Sequence, residues 1–488
     1  MMGVVPIPSS ARGRAMRLPS DGRLRHQVDA LRRQFLQEGG LPFADVLTAD
    51  CLHEALREIK ATWKDRIYTP LVTLWVFLGQ VLNADQSCRA AVARLIAHRV
   101  AQGQQPCSSR TGAYCQARKR LPEPFFAAVA RLVGQNLDAQ VDRRWLWKGR
   151  RVCLFDGTTV SMPDRPANRK EYPLTYDQRP GTNFAIARIG ALISLSCGAI
   201  LDLGICRYAG KGQGEVSLLR QLWDLLGPGD VLLGDRLMAN WTGILMLQRR
   251  GVDFVGRLNK ANRRADFRTG IRLGKNDHLV SWKKPTSIRS VDREIYRSFP
   301  ESITIREVRF RVEQPGFRTR SIVVVTTLLD PEQATVEKLA ALYRARWNNE
   351  LDLRSIKVAL QMDMLRCKTP ELVRKEIWTH VLAYNLIRTV MAQAAIRKEV
   401  PPRSISFKAT LQVLEAFQPL IAYQAHRGAV HRAAPYQQVL GAIAVHRVAD
   451  RADRIEPRLA KRRPKRYNRL TKPRHEIKCQ MLEGVLKN

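Results

Sequence analysis

Leu71, Leu74, Trp75, Leu78, Val81 and Leu82 recur at three- and four-residue spacing, the stripe of one buried helix. Helical periodicity extends from about 22 to 140. A second helix is predicted over 86–101, opened by Asp85 and Ser87 and stopped by Gly103 and Pro106, and a short third one over 114–120. From Gly149 onward the pattern changes to short apolar runs. Strands are predicted over 152–155, 184–196, 199–208, 231–234 and 252–255, with helices over 215–226 and 241–247 between the later ones. A Lys- and Arg-rich stretch from 257 to 320 shows alternating runs of strand type at 303–310 and 321–327. Asp330-Pro331 ends the last strand, the helix carrying Glu350 follows, and helical stripes continue over 373–396 and 407–423. No internal repeat is evident. Prolines at 457, 464 and 473 predict an extended C-terminal arm rather than a long helix.

Charge sharpens this picture. The chain of 488 residues has 82 Lys+Arg against 44 Asp+Glu, a net +38, within an otherwise globular composition of 45% hydrophobic and 26% charged residues. Such a surplus repels itself unless a polyanion neutralises it, and nucleic acid is the usual one. Between 451 and 478 there are 12 Lys/Arg and 3 Asp/Glu, and Lys461, Arg462, Arg463, Lys465 and Arg466 form the densest cluster. Its expected role is contact with a phosphate backbone, which adds affinity and little specificity; a disordered solubilising tail is the competing reading. The nine cysteines have no paired spacing, so reduced thiols in a cytoplasmic protein are expected rather than zinc. The first twenty residues lack the apolar segment of a secretory signal, and no apolar run is long enough to span a bilayer. Gly210-Lys-Gly-Gln-Gly214 lacks P-loop spacing and reads as a strand-to-helix turn.

Two predicted strands end in an acid, Asp156 after 152–155 and Asp235 after 231–234. An acid closing a buried strand needs a donor or a metal as partner. The order strand-strand-strand-helix-strand-helix-strand is the plan of the ribonuclease H-like fold, in which the first and fourth strands are neighbours; Asp156 and Asp235 would then sit together. Downstream, Tyr343, Arg346, Glu350 and Lys357 are spaced by 3, 4 and 7 positions. On one regular helix these steps confine all four to an arc of roughly 60°. A solvated helix face could carry the same residues, but an acid among cations and a phenol also suits metal-assisted phosphodiester chemistry.

The spacing Tyr-x2-Arg-x3-Glu-x6-Lys, together with Phe-Asp156-Gly-Thr-Thr-Val and Gly-Asp235-Arg236, resembles bacterial insertion-sequence transposases of the family numbered four. The resemblance implies a cut-and-paste enzyme with Asp156, Asp235 and Glu350 as catalytic and metal-binding triad. It implies two Mg²⁺ ions (Mn²⁺ as a substitute), Asp156 bridging both. Tyr343, Arg346 and Lys357 would hold phosphates beside the scissile bond, with Arg236 also on DNA and flanking ends closed into hairpins. Trp347 is a candidate for stacking a displaced base, although a tryptophan beside such a helix is more often core.

The expected fold is α/β: a ribonuclease H-like core with a β-rich insertion, preceded by an all-α DNA-binding domain. The boundaries are 1–145 for the helical N-terminal domain, 146–256 and 329–400 for the two parts of the core, 257–328 for the insertion, and 401–488 for a helical region with its basic tail. A basic helical packing domain would look like the N-terminal part, and the resemblance tips that balance. The expected partner is double-stranded DNA, as transposon ends and target, bound by a homodimer. A domesticated DNA-binding protein that has lost catalysis and a nuclease of the same fold are the alternatives. The presence of all three acids speaks against the first.

Overall fold

The computed structural model describes residues 55–57, 66–101, 103–261, 263–286, 288, 291, 293–311, 321–424, 429–448 and 469–483. It is a mixed α/β molecule built on one nine-stranded sheet. In chain order its elements begin with helices α1 (Pro70–Leu82), α2 (Cys88–Ala101), α3 (Gly112–Arg120) and α4 (Glu123–Ala139). Strand β1 (Val152–Met162), a short α5 (Pro166–Glu171), β2 (Ala185–Ser194) and β3 (Ile200–Arg207) follow. Then come α6 (Glu215–Leu222), β4 (Val231–Gly234), α7 (Trp241–Gln248) and β5 (Asp253–Arg257). The β-rich stretch supplies β6 (Ile271–Gly274), β7 (Asp277–Lys283), α8 (Arg293–Arg297), β8 (Ser302–Arg311) and β9 (Ser321–Thr326). The rest is helical: α9 (Val336–Ala345), α10 (Trp347–Arg354), a π-helical turn (Ser355–Ala359), α11 (Pro370–Arg397), α12 (Phe407–Gln424), α13 (Ala429–Val445) and α14 (Arg474–Leu482).

The strand order is β3-β2-β1-β4-β5-β9-β8-β7-β6. The first and fourth strands are neighbours, as expected, and β1, β4 and β5 run parallel, consistent with the ribonuclease H-like plan. Strands β6–β9 continue the same sheet, because β9 pairs antiparallel with β5. Short apolar strands such as Val231–Gly234 are what a sheet covered on both faces requires. Alternation along β1 assigns the two faces. Val152 and Leu154 join a core with α1, α4 and α11, whereas Cys153 and Phe155 join Leu218 and Leu219 of α6 and Ile244 of α7.

The long helix α11 is buried from Val373 to Ala395 and serves as the floor of the first core. Apolar residues around its whole girth suit an internal helix. Two of its buried polar residues bond the N-terminal helices: Lys375 Nζ donates to the Arg118 and Lys119 carbonyls at 3.1 Å each, and Asn385 Nδ2 to the Ala130 carbonyl at 3.1 Å. Helices α1–α4 therefore share one core with α11. Arg118, first of a basic trio in the sequence, turns inward over the Phe77 and Tyr114 rings rather than outward. Two further differences stand out. Strand β1 runs through Asp156 to Met162 instead of ending at the acid, because its antiparallel ladder to β2 continues there. The short helix α14 is the other, with Pro473 at its N-cap, a position that does not need the missing N–H, and the stretch 461–466 expected to be extended lies outside the described residues. Among the described residues no helix is long and apolar enough to cross a membrane.

Candidate active site

The parallel register of β1 and β4 ends at Leu154 opposite Leu233. Two residues further along each chain stand Asp156 and Asp235, so the two acids sit side by side where the ladder stops. By alternation Asp156 faces the same side as Leu154, the side on which Tyr343, Leu353 and Ile356 pack. Asp156 Oδ1 accepts from the Gly157 N–H at 2.8 Å, and Asp235 Oδ1 from the Leu237 N–H at 2.6 Å. Burial pushes the Asp156 carboxyl up to about 6. The Gly157 N–H and the Arg346 guanidinium oppose that rise, and the charges of Glu215 and Asp235 add to it.

The segment carrying Tyr343 to Lys357 is not one regular helix. Thr335 caps α9 by accepting from the Lys338 N–H at 3.4 Å. At Arg346 the backbone tightens to three-residue hydrogen bonds, Arg346 N–H to Tyr343 and Asn349 N–H to Arg346. Beyond Arg354 it loosens into the π turn. The four signature residues accordingly spread over different surroundings. Tyr343 is 8% exposed and packs near Phe310, and burial raises its phenol while Arg346 and Arg257 oppose the rise. Arg346 lies 3.4 Å from Glu350, with side chains 21% and 43% exposed. Lys357, in the π turn, donates to Thr158 Oγ1 of β1 at 3.1 Å. Trp347 is 48% exposed, so it is not core. Arg236 is exposed beside Asp235, and Lys461, Arg462, Arg463, Lys465 and Arg466 lie outside the described residues.

The Glu350 segment is pinned by residues that the sequence did not single out. Asp352, two positions after Glu350, is buried and takes Arg388 on one oxygen and Arg403 on the other, the latter at 2.7 Å. Arg403 also donates to the Ser194 carbonyl at 2.7 Å, which ties α10 to the end of β2. After the π turn, Ser161 of β1 exchanges backbone hydrogen bonds with Asp363 and Leu365 at 3.0 and 2.8 Å. A fourth acid is also present. Glu215 opens α6, its side chain lies against Gly157, and Arg188 approaches it at 3.4 Å. Burial and then the Asp235 charge raise its carboxyl. Its one sequence signal was its place immediately after the glycine-rich turn.

Among the described residues no three acid, imidazole or thiol groups form a ready-made cage. The acids nearest Asp156, Asp235 and Glu215, nonetheless offer carboxylate oxygens, and hard oxygens of this kind suit Mg²⁺ or Mn²⁺.

A transposase DDE domain model matches residues 147–386. The transposase InsG of insertion sequence element IS4 from Escherichia coli (strain K12) is 25% identical over 449 residues, 90% of this chain and 95% of that one. Together these two matches support an IS4-family DDE transposase. The transposase of insertion sequence element IS421, also from Escherichia coli, is 26% identical over 293 residues, 56% of this transposase and 74% of that one. Among solved structures, the piggyBac transposase synaptic complex with hairpin DNA covers 85% of this chain and 84% of that one. Its TM-score of 0.38 and 8% identity are too remote to bear on the fold. As a transposase, the protein is an enzyme that acts on DNA.

Proposed function

We propose that this transposase cuts and rejoins DNA at the ends of its element through Asp156, Asp235 and Glu350, on a ribonuclease H-like core. The observation that carries the reading is the register of β1 and β4: it sets Asp156 beside Asp235 on the sheet face where the Glu350 segment packs. Asp156 and Asp235 would hold a divalent cation and Glu350 would complete the set, with two ions in all. When bound, such ions activate the attacking water or 3′-hydroxyl and stabilise the leaving oxygen.

The chain's own residues do the rest. Asp352, gripped by two arginines, fixes the backbone two residues from Glu350, so that acid can move only by its side chain. Arg346 lies between Asp156 and Glu350 and is free to take a phosphate oxygen. Tyr343, being buried, acts on that phosphate through Arg346 rather than directly. Lys357 reaches the strand of Asp156 and adds a positive charge beside it. The basic helices of 1–145 recognise the element's ends, and Lys461, Arg462, Arg463, Lys465 and Arg466 follow the phosphate backbone. Arg236 lies on the same DNA path, and Trp347 offers an exposed ring for a displaced base. Two subunits, in the cytoplasm, bring two ends together.

The test is a cleavage assay with the purified protein, Mg²⁺ and a duplex carrying the element's terminal repeat. Wild type cuts at the repeat boundary, and flanks closed into hairpins migrate as cross-linked strands on a denaturing gel. Flanks that separate into single strands remove the hairpin step. Binding by wild type without any cutting would favour a silent DNA-binding protein.

A further inference from the structure

Glu215 approaches the centre from the opposite side of the sheet. It is the first residue of α6, the helix that packs on the face shared by Phe155 and Leu218, away from the Glu350 segment. Its route depends on a missing side chain. A Cβ on Gly157 would stand 2.5 Å from Glu215 Cγ and Oε1 and 2.6 Å from Cδ, closer than any real contact. The acid therefore lies across the backbone immediately after Asp156. Strand β4 stops at Gly234, so the Asp235 carboxylate is also at this edge, near enough for its charge to bear on Glu215.

An ordinary ion pair accounts poorly for this placement. Arg188 meets Glu215 through one nitrogen at 3.4 Å and leaves its buried Nε without a partner. It has other support, donating to the Tyr208 carbonyl at 3.2 Å and lying over the Tyr208 ring. An acid serving only Arg188 would have no reason to lie over Gly157, between two like charges that it repels.

We propose that Glu215 is a fourth carboxylate of the Asp156–Asp235 centre and a ligand of its divalent cation. This rests on the reading of that centre as a metal site. Asp156 and Asp235 approach the ion from the sheet, Glu350 from one face and Glu215 from the other. Arg188 then acts as a competitor for Glu215.

The test is Mn²⁺ titration of the full-length, metal-stripped protein, followed by electron paramagnetic resonance of free Mn²⁺, with thermal unfolding as the folding control. Glu215→Gln keeps the shape and removes the charge; it weakens Mn²⁺ binding by about ten-fold or more, as Asp156→Asn does. Arg188→Gln leaves binding unchanged or tighter, which a merely structural partner of Glu215 would not do. Should Glu215→Gln unfold, Glu215→Asp, which withdraws the carboxylate by one methylene, shows the same loss. A Glu215→Gln affinity within about two-fold of wild type, with Asp156→Asn impaired, overturns the role of Glu215 alone. Wild type that takes up no Mn²⁺, or an Asp156→Asn variant that binds normally, overturns the metal site and the proposal with it.

Discussion

The β6–β9 half of the sheet and the helical segment beside Asp156 each hold an arginine against carboxylates, and they treat it in opposite ways. Arg306 of β8 is wholly buried. It grips Asp277 through Nε at 2.8 Å and Nη2 at 2.6 Å, and Nη1 donates to the Ala334 carbonyl at 2.7 Å. Arg346 keeps part of its side chain in solvent, reaches Glu350 only at 3.4 Å, and stands by an Asp156 whose carboxyl is up at about 6. The sealed pair has its donors occupied and serves to lock the approach to α9. The open group has charge to spare on both sides, which is what a site that must accept phosphate and cation requires. The same contrast recurs two residues apart in α10, where Asp352 is closed between Arg388 and Arg403 while Glu350 is exposed.

Breaking the open group has the largest expected effect. Asp156→Ala or Asp235→Ala removes several kcal/mol of transition-state stabilisation, a loss of about 10³-fold or more in cleavage, while end binding in a gel-shift assay persists. Next is the sealed pair. Arg306→Ala leaves Asp277 buried without its partner and costs about 3–5 kcal/mol, read from the denaturant midpoint. A midpoint equal to wild type would mean that the pair is not sealed.

The third prediction concerns metal-free stability. The Asp156 carboxyl is raised from 3.8 to about 6, so its ionised form is disfavoured in the fold. Its contribution to stability is fully present below about pH 3.8 and is lost as pH rises through about 6. Asp156→Asn escapes that loss, and its gain over wild type is about 1–3 kcal/mol at pH 7.5, shrinking towards nothing below pH 4. Thermal unfolding at the two pH values checks it, and a gain independent of pH would contradict the burial argument. The smallest effect belongs to Trp347→Ala. An exposed ring contributes within about 0.5 kcal/mol to folding, whereas a stacked base would make the loss in DNA affinity about 1–3 kcal/mol.

Much of this was legible where local pattern and long-range structure agree. Val231-Leu-Leu-Gly followed by Asp235 reads as a buried strand closed by an acid, and the alternation of strands and helices was enough to place it beside β1. What the sequence concealed depends on contacts made at a distance. Strand β1 passes Asp156 because β2 continues to pair with it. The segment from Tyr343 to Lys357 tightens at Arg346 and widens after Arg354, so an ideal pitch mispredicts which residues share surroundings: Tyr343 goes inward and Lys357 reaches Thr158. Trp347, for which base stacking and a place in the core were both open, is at the surface. Glu215 and Asp352 were invisible for the same reason, since the worth of each comes from partners far off in the chain: Asp235 and Arg188 for one, Arg388 and Arg403 for the other.

The most direct test sets the two acids of α10 against each other. Glu350→Gln and Asp352→Asn would be compared for Mg²⁺-dependent cutting of an end duplex and for thermal midpoint. The account predicts that Glu350→Gln binds the duplex and unfolds like wild type but does not cut, and that Asp352→Asn lowers the midpoint. A Glu350→Gln protein that cuts at the wild-type rate would contradict it.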